Sequence, residues 1–363
     1  MPAISKNSVN YLSVDEAAAG QRLDNFLIRL LKGVPKSHIH RIIRGGEVRV
    51  NKKRAAADSR LATGDEVRIP PIRLAQKADQ TGAAVPPREF DIVFEDEHLL
   101  VVDKPSGVAV HGGSGVSFGV IEQLRRARPQ ARYLELVHRL DKDTSGLLVV
   151  AKKRSALVKL HEAWRNDKPE KVYLALGMGA WPQGVRQVKL PLFKYTGAAG
   201  EKMVRVSEEG QSAHTLFRVL ESFGGAPLHA VGLFALSLME ATLRTGRTHQ
   251  IRVHMREAKH PLAADPVYGN PRHPCSDAVK EAVHQLARQA LHAYRLSFIH
   301  PESGETVQFE APLPEDIHHL LSVLRWECGM DSALSHTLPP AELDDEDDWD
   351  DDDYDVETIY VRD

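Results

Sequence analysis

Apolar side chains near the start of the chain recur at the spacing of a helix that packs one face against a core. They form a stripe at positions i, i+3, i+4, i+7 and i+8, namely Leu23, Phe26, Leu27, Leu30 and Leu31. A second helical stripe follows at Ile39, Ile42 and Ile43. Ser37 is a candidate N-cap for this second helix, and the glycine pair at 45–46 ends it. Polar and apolar residues then alternate at 47–51 and 66–69, so residues 12–70 are predicted to form a small module of two helices and a sheet.

The longer second part of the chain contains more strand patterns than helix patterns. Runs of strand character lie at 99–103, 147–152, 171–178, 216–220, 234–243, 294–300 and 306–310. Helical stripes lie at 118–125 and 157–164. Because strands and helices do not alternate regularly, the predicted fold class is α+β with a mixed, largely antiparallel sheet. This domain is expected to span residues 88–327, after a proline-containing linker at 71–87.

Charge is distributed unevenly along the chain. The net charge is −3, but residues 342–363 alone carry −12 and leave +9 on the rest. The first 75 residues carry +7, which indicates a polyanionic partner for the N-terminal module. Residues 328–363 are predicted to be an acidic, disordered tail. Two interpretations of this tail stay open: a solvated extension, or a nucleic-acid mimic that competes for the basic surface.

Several classes of protein are disfavoured by what the sequence lacks. No run approaches the roughly 18 apolar residues of a membrane helix, and the N-terminus lacks the apolar core of a signal peptide. The two cysteines, Cys275 and Cys328, are far apart, which argues against a disulfide framework. A cytoplasmic location with no membrane contact is therefore expected.

Phosphate-binding and metal-binding motifs were also sought. Neither GxxxxGK[ST] nor a helix-opening GxGxxG occurs, so no nucleotide cofactor is expected. The HGGSG segment at 111–115 resembles an esterase loop but is not accompanied by GxSxG. His249 and His254 are five residues apart outside an HExxH frame, so no metal site is expected.

A cluster of basic residues lies on the predicted second helix and just after it. Lys36, His40 and Arg44 are spaced four residues apart and so share one helix face. The remaining basic residues of the candidate RNA-binding cluster are Arg41, Lys52, Lys53 and Arg54. Contacts to the phosphate backbone dominate nucleic-acid affinity, so this cluster is predicted to bind RNA or DNA.

The polar run His138–Gly146, HRLDKDTSG, feeds directly into a buried strand pattern. A polar loop on a rigid strand is a favourable place for a reacting group. Asp141 is the candidate, because Arg139 and Lys142 beside it favour an ionised carboxylate. The alternative interpretation is a salt-bridged turn with no chemistry.

Three motifs together resemble the RluA family of pseudouridine synthases. They are HRLDKDTSG at 138–146, KVY at 171–173 and TGRTHQIRVH at 245–254, with VVDKPSG at 101–107 in front of them. The N-terminal stretches at 22–27, 35–54 and 64–69 resemble the S4 RNA-binding domain. The resemblance implies an α+β synthase domain behind an S4 domain, and an isomerase that needs no cofactor. It also implies that the partner is 23S ribosomal RNA or a large-subunit assembly intermediate, bound by a monomer.

The same resemblance assigns roles to individual residues. It implies that Asp141 is catalytic, that Arg252 forms a salt bridge with it, and that Tyr173 stacks on the target uracil. Arg139 is expected to enter the RNA stack where the uridine leaves, and Arg247 of the third motif is expected to contact RNA. The family reaction breaks the N1–C1′ bond of uridine, turns the uracil and rejoins it through C5. Attack of Asp141 on C1′ and removal of a proton from C2′ both stay open.

Three other functions compete with this interpretation. The chain could be an RNA-binding assembly factor without catalysis, or a synthase that acts on another RNA. It could also be a glycosidase, which usually needs two carboxylates flanking the bond. For that reaction Asp141 and Asp143 are the candidates, since two residues apart on a strand-like segment they share a face.

Overall fold

The computed structural model describes most of residues 8–330 and a short segment near the C-terminus. The described ranges are 8–16, 18–31, 34–72, 85–112, 117–166, 169–182, 184–197, 200–224, 236–269, 276–330 and 357–359. The helices in these ranges are α1 (Leu23–Leu30), α2 (Lys36–Arg44), α3 (Val120–Ala127), α4 (Arg154–Asn166), α5 (Gln250–Glu257), α6 (Asp277–Leu286) and α7 (Glu315–Glu327). None of these helices combines the length and apolar character needed to cross a membrane.

The strands fall into two sheets and a separate hairpin. The first group is β1 (Asn10–Ser13), β2 (Arg49–Val50), β3 (Lys53–Arg54), β4 (Glu66–Ile69), β5 (Asp91–Glu95), β6 (Leu99–Lys104), β7 (Glu135–Leu136), β8 (Ser145–Ala151) and β9 (Glu170–Met178). The second group is β10 (Val185–Lys189), β11 (Leu192–Thr196), β12 (Lys202–Val206), β13 (His214–Phe223), β14 (Leu236–Leu243), β15 (Leu291–Ile299), β16 (Thr306–Glu310) and β17 (Glu357–Ile359).

The N-terminal module is a four-stranded sheet in the order β1-β4-β2-β3, with α1 and α2 packed on one face. The predicted apolar positions Ile39, Ile42 and Ile43 are all buried in its core, as the helical spacing required. The predicted N-cap is wrong: α2 begins one residue before Ser37, and Pro35 occupies the N-cap position without a side-chain hydrogen bond. A proline ring already fixes φ near the value that a helix start needs.

The strand predicted at 47–51 is shorter than expected. Only β2 pairs there, because Asn51 and Lys52 have φ values of 49° and 65° and turn the chain into β3. Left-handed backbone cannot continue a strand. The strand predicted at 66–69 agrees with β4.

The second sheet has eleven strands and is mixed but mostly antiparallel, as the sequence predicted. Its main path runs β17-β10-β13-β14-β9-β15-β8-β6-β5, while β16 pairs with β15 and β7 with β8. In the described ranges only β8–β15 and β10–β17 are parallel pairs. The predicted strands correspond to β6, β8, β9 and β13–β16, whereas β5, β7, β10 and the hairpin β11–β12 were not predicted.

Both faces of the central strands are covered. On β6, Leu100 and Val102 join a core that includes α3, whereas Leu99 and Val101 join another core against α4. A strand buried on both faces shows a continuous apolar run rather than alternation. The central strands therefore form a rigid platform, and the loops at their ends carry the polar groups.

Two predicted segments fall largely outside the described residues. Of the linker at 71–87, only 71–72 and 85–87 are described, and Ile72 packs into the N-terminal core. Of the acidic tail, 357–359 forms β17 beside β10, which departs from the disorder predicted there. An exposed strand edge offers unpaired backbone groups, and this is the physical basis of such pairing. The domain boundaries and the disorder of the remaining tail stay predictions.

The 111–115 loop is described only at His111 and Gly112, and Cys275 is not described.

Three histidines, the half-buried His138 and the fully buried His254 and His292, join separate elements of the synthase domain in their neutral form. His138 accepts a hydrogen bond at Nε2 from the Val149 amide (3.1 Å). His254 donates from Nε2 to the Leu190 carbonyl (3.1 Å), and its Nδ1 lies 2.9 Å from Thr215 Oγ1. Burial lowers the pKa of His138 to about 3 and that of His254 to about 4. Burial also lowers the pKa of the third histidine, His292, to about 4, and its Nδ1 lies 2.9 Å from Ser145 Oγ.

We expect these histidines to make folding sensitive to mild acid. In the unfolded chain these histidines become protonated below their ordinary pKa of 6.5. In the folded chain His254 and His292 become protonated only near pH 4. The unfolding free energy should therefore decrease as the pH is lowered through this window. The decrease is roughly 1.4 kcal/mol per pH unit for each of these histidines. Urea unfolding of His254→Gln should be measured between pH 6.5 and 4.5. The slope of its unfolding free energy against pH should be smaller than that of the wild type by the contribution of one histidine, roughly 1.4 kcal/mol per pH unit. The exposed His284→Gln is the matched control and should keep the wild-type slope. Equal slopes in both variants would contradict this account.

Candidate active site

The predicted catalytic loop lies where β7 leads into β8. Leu140 anchors it, because its side chain is buried in the same core as Leu148 and Val150. The side chain of the next residue, Asp141, is 27% exposed. The backbone carbonyl of Asp141 accepts a hydrogen bond from the Thr144 amide at 3.2 Å. A buried neighbour and a turn hydrogen bond thus hold a partly exposed carboxylate at one end of the central strands.

A glycine is needed where this loop enters the sheet. Gly146 has φ of 107°, a left-handed conformation that favours glycine. A Cβ placed there would lie 2.2 Å from the Ala293 carbonyl oxygen of β15. The close approach of two backbones therefore fixes where the C-terminal end of the loop meets β15.

Two buried cations clamp the backbone of the loop through carbonyl oxygens. Lys104, at the end of β6, is fully buried and donates to the carbonyls of Pro105 (2.8 Å), Val108 (2.9 Å) and Lys142 (2.9 Å). Burial lowers the pKa of Lys104 to about 7, although nearby acidic groups oppose the shift. The sequence signal was a lysine at the end of an apolar strand, and our sequence analysis assigned it no role.

The second cation is Arg288, which follows α6. Its Nη1 donates to the Asp143 carbonyl at 3.2 Å, while Nε and Nη2 bind both oxygens of Asp316 at 2.6 and 2.8 Å. Ser145 is tied to β15 through His292 Nδ1 at 2.9 Å. Together these contacts fix the backbone on the C-terminal side of Asp141. No sequence pattern indicated Arg288.

Arg252 connects the loop to α5 and is buried, so it is not a surface arginine of this helix. Its Nη1 lies 3.3 Å from Asp141 Oδ2. Its other two nitrogens bind Asp265 in a bidentate pair, with Nε–Oδ2 at 2.8 Å and Nη2–Oδ1 at 2.9 Å. The guanidinium is therefore shared between two carboxylates, and a bidentate pair fixes its plane.

Asp265 was missed by the sequence analysis. Its side chain is completely buried, and Oδ1 also accepts the amides of Val267 (2.9 Å) and Tyr268 (3.0 Å). Burial raises the pKa of Asp265, but the hydrogen bonds and charge of Arg252 outweigh burial and hold it below the usual value. The signal that was available is a carboxylate directly after the apolar run Leu262–Ala264.

Tyr268 and His249 complete the surroundings of Arg252. The Tyr268 ring lies 5.0 Å from the guanidinium carbon, and its hydroxyl lies 2.9 Å from His249 Nδ1 and accepts the Val204 amide at 3.0 Å. His249 Nε2 is 3.9 Å from Asp141 Oδ2. Burial lowers the pKa of His249, while the Asp141 charge opposes this shift. A neutral imidazole therefore lies beside the candidate carboxylate.

Tyr173 lies on β9 between strands that carry small residues. It pairs with Ala241 on β14 and Ala293 on β15, and only 8% of it is exposed. Burial raises the pKa of Tyr173, and the Asp141 charge raises it further. The phenol is therefore protonated at neutral pH and lies within the electrostatic influence of Asp141.

The third motif is organised by Gln250. Its Oε1 accepts the Thr245 hydroxyl at 2.8 Å and the Arg247 amide at 3.0 Å, and its Nε2 donates to the His214 carbonyl at 2.9 Å. Arg247 itself is exposed and donates from Nε to the Ser212 carbonyl at 3.1 Å. Arg139 is also exposed, next to Asp141 in the chain.

The predicted RNA-binding helix face lies at the surface of the N-terminal module. Lys36, Arg41 and Arg44 on α2 are exposed, and Lys52 and Lys53 are exposed beyond it. We call Lys36, His40, Arg41 and Arg44 of α2 the helix surface. His40 is half-exposed and its Nε2 lies 4.0 Å from Asp24 Oδ2.

The arrangement suits chemistry with one carboxylate. Asp141 is the partly exposed member, whereas Asp265 is enclosed and receives four hydrogen bonds. Asp141 and Asp143 precede β8, so the strand-like geometry proposed for a carboxylate pair does not hold. His249 and His254 have different partners, and the described residues contain no cluster of three metal-binding side chains.

Comparison with known proteins identifies relatives over nearly the whole chain. Residues 98–257 match the RNA pseudouridylate synthase family, and residues 21–67 match the S4 domain. The ribosomal large subunit pseudouridine synthase C of Escherichia coli K12 is 50% identical over 325 residues, covering 88% of this chain and 97% of that protein. The protein of the same name in Haemophilus influenzae is 47% identical, covering 89% and 97%.

A solved structure also resembles the fold. Human RNA pseudouridylate synthase domain containing 4 aligns with a TM-score of 0.52 and 25% identity, covering 65% of this chain and 93% of that one. The likeness in sequence and the likeness in fold thus point to the same family.

The two carboxylates that share Arg252 should differ sharply in their effect on stability. Asp265→Asn leaves a buried guanidinium without its bidentate partner, so we expect a loss of about 3–5 kcal/mol in unfolding free energy. Asp141→Asn removes a single contact of a partly exposed group, so we expect a change below about 1 kcal/mol. Urea unfolding at pH 7 measures both. Similar losses in the two variants would contradict the unequal sharing seen here.

Proposed function

The chain belongs to the RNA pseudouridylate synthase family, and from this membership we propose that it isomerises specific uridines to pseudouridine in large-subunit ribosomal RNA. It is an isomerase that acts on RNA, and its N-terminal S4 domain is an RNA-binding domain. One observation in the structure carries the proposal at the level of chemistry. Asp141 is a partly exposed carboxylate that shares Arg252, at 3.3 Å, with the enclosed Asp265, and its charge raises the pKa of Tyr173.

The target uridine must leave its stack before Asp141 can reach it. Extruding a base costs a few kcal/mol, and a flat aromatic face offsets part of that cost. We assign this role to Tyr173, a buried residue whose pKa is raised by the charge of Asp141. Arg139 is exposed beside Asp141 and is suited to fill the space that the uridine leaves. Arg247, exposed in the third motif, is suited to a phosphate contact.

The isomerisation itself conserves all atoms of the nucleotide. The N1–C1′ bond breaks, the uracil turns, and a C5–C1′ bond forms. C5 then loses a proton and N1 gains one. The Asp141 carboxylate either attacks C1′ or removes a proton from C2′, and both routes use one ionised carboxylate.

The surrounding residues support this carboxylate rather than react. Arg252 donates one hydrogen bond to Asp141 and so holds the carboxylate in place. Tyr173 is protonated at neutral pH, so its hydroxyl is suited to donate a hydrogen bond rather than to remove the C5 proton as phenolate. His249, neutral and 3.9 Å away, adds no full positive charge to the site.

The finer features of the substrate follow from the relatives. We propose that the RNA is 23S ribosomal RNA or a large-subunit assembly intermediate, and that the protein acts in the cytoplasm as a monomer. RNA is recognised mainly through shape and through unpaired bases, so several uridines in similar folds are suitable targets.

The first test is a map of pseudouridine in ribosomal RNA from cells that lack this protein. Chemical labelling read by primer extension should show specific large-subunit sites missing. Wild-type protein should restore them and Asp141→Asn should not, because an amide neither attacks C1′ nor removes a proton. Purified Asp141→Asn should bind RNA as the wild type does, since the helix surface is intact. Restoration by Asp141→Asn would disprove the assignment, and an unchanged map would redirect the search to transfer RNA or to a binding role.

The helix surface should account for part of the RNA affinity. Reversing charge at Lys36, Arg41 and Arg44 should weaken binding and flatten its dependence on salt, because released counterions set that dependence. Equilibrium binding to a large-subunit RNA fragment at 50 to 300 mM salt measures the slope. An unchanged slope would show that the phosphate contacts lie elsewhere on the protein.

A further inference from the structure

The outer face of the N-terminal sheet carries a row of side chains that the helix surface does not include. Tyr11 on β1 pairs with Arg68 on β4, which also pairs with Arg49 on β2. Arg49 in turn pairs with Arg54 on β3. Directly opposed residues of an antiparallel sheet project from the same face. The register therefore lines up one tyrosine and three arginines across all four strands.

This row faces away from the two helices. The residues adjacent to Arg68 in the strand, Val67 and Ile69, are fully buried and belong to the core that includes Ile39 and Ile42 of α2. Side chains alternate between the two faces of a strand, so Arg68 and its partners lie on the opposite side. The row is therefore a separate surface from the helix surface.

The arginines converge on the turn between α2 and β2. Arg68 Nη1 donates to the Glu47 carbonyl at 2.5 Å, and Arg49 Nε donates to the Gly46 carbonyl at 3.4 Å. A cavity of about 550 Å³ opens here and is lined by Tyr11, both arginines and Lys52. The carboxylates of Glu47 and Glu66 also line it. Among the described residues, however, neither arginine is within 4.0 Å of a carboxylate oxygen.

Like charges directly opposite one another destabilise a sheet pair. Here each of the two arginines donates to a backbone carbonyl and makes no close ion pair with Glu47 or Glu66, so each guanidinium keeps donors available for an anion. The planar guanidinium fork matches the geometry of a phosphate. Tyr11 is 59% exposed at the end of the row, which is unusual for a large aromatic side chain. An exposed aromatic ring beside cations is suited to stack on an unpaired base.

We propose that Tyr11, Arg49 and Arg68 form a second RNA-binding surface, the sheet surface, which binds phosphates through the two arginines and stacks an unpaired base on Tyr11. The sheet surface extends the footprint of the N-terminal module from its helices to its strands. The choice of ribosomal RNA as the probe rests on the proposed function, but the readout is binding rather than isomerisation.

The test uses the full chain with both arginines changed to glutamine. Two lost phosphate contacts should reduce the slope of log affinity against log salt by about 1.4 to 1.8 for a large-subunit RNA fragment. The matched control is Lys159→Gln with Lys280→Gln, which removes the same charge from exposed residues of α4 and α6. The control should keep the wild-type slope. Equal slopes in the two double variants would overturn the proposal.

A lysine pair separates phosphate binding from a structural role in the turn. Arg49→Lys with Arg68→Lys keeps the charge but not the geometry of the guanidinium–carbonyl bonds. Recovery of the wild-type slope supports phosphate contact. A slope equal to that of the glutamine pair would mean that the arginines serve only the turn, and would overturn the proposal.

Base stacking is tested separately at Tyr11. Tyr11→Ala should weaken binding by roughly fivefold or more, while Tyr11→Phe should bind like the wild type. Equal affinity of the alanine variant would remove stacking from the proposal.

The catalytic rate distinguishes failure of this proposal from failure of the proposed function. At saturating RNA the control pair, Lys159→Gln with Lys280→Gln, should form pseudouridine at the wild-type rate in a single turnover, because it leaves both Asp141 and the sheet surface untouched. A wild type that forms none, yet differs from the glutamine pair in salt slope, would refute the proposed function and leave the sheet surface standing. If the wild type forms pseudouridine normally but has the same salt slope as the glutamine pair, the sheet surface is refuted and the proposed function is not.

Discussion

The buried guanidinium of Arg252 is the interaction on which the candidate site depends. Asp265 occupies two of its nitrogens and leaves Nη1 for Asp141. Since Asp265 is enclosed and receives further amide hydrogen bonds, Arg252 has one orientation. Asp141 receives only one of these bonds and stays partly exposed, so it keeps lone pairs for a substrate. The unequal sharing of one cation thus separates a structural carboxylate, Asp265, from the candidate catalytic one, Asp141.

The Asp141 loop is fixed by cations whose partners on the loop are carbonyls rather than carboxylates. Lys104 binds the Lys142 carbonyl and Arg288 binds the Asp143 carbonyl. Carbonyl oxygens orient a loop without adding a full negative charge near Asp141. The burial of Lys104 costs free energy, as its lowered pKa shows, and three hydrogen bonds offset that cost. The two side chains therefore hold the loop through its backbone carbonyls, without a hydrogen bond to the Asp141 carboxylate.

Periodicity predicted the elements whose burial is one-sided or complete, and motifs predicted the residues closest to Asp141. The apolar stripes of α1 and α2 and the continuous run of β6 correspond to real elements because core packing alone decides them. The short strands β10–β12 escaped because most of their positions are exposed or half-buried, so they lack a strong apolar pattern. Asp265 and Arg288 escaped because their partners lie 13 and 28 residues away, joined only by the tertiary fold. Local sequence carries no signal for such a contact.

RNA binding by this chain depends on local rather than net charge. The whole protein is negative by three charges, yet its first 75 residues are positive by seven. At physiological salt the field of a charge decays over about 8 Å, so phosphates respond to the cations within that distance. The negative charge of residues 342–363 opposes binding only where those residues come within the same distance of the RNA. A basic module can therefore hold RNA on an acidic protein, and the separation between binding module and carboxylate lets affinity and chemistry change independently.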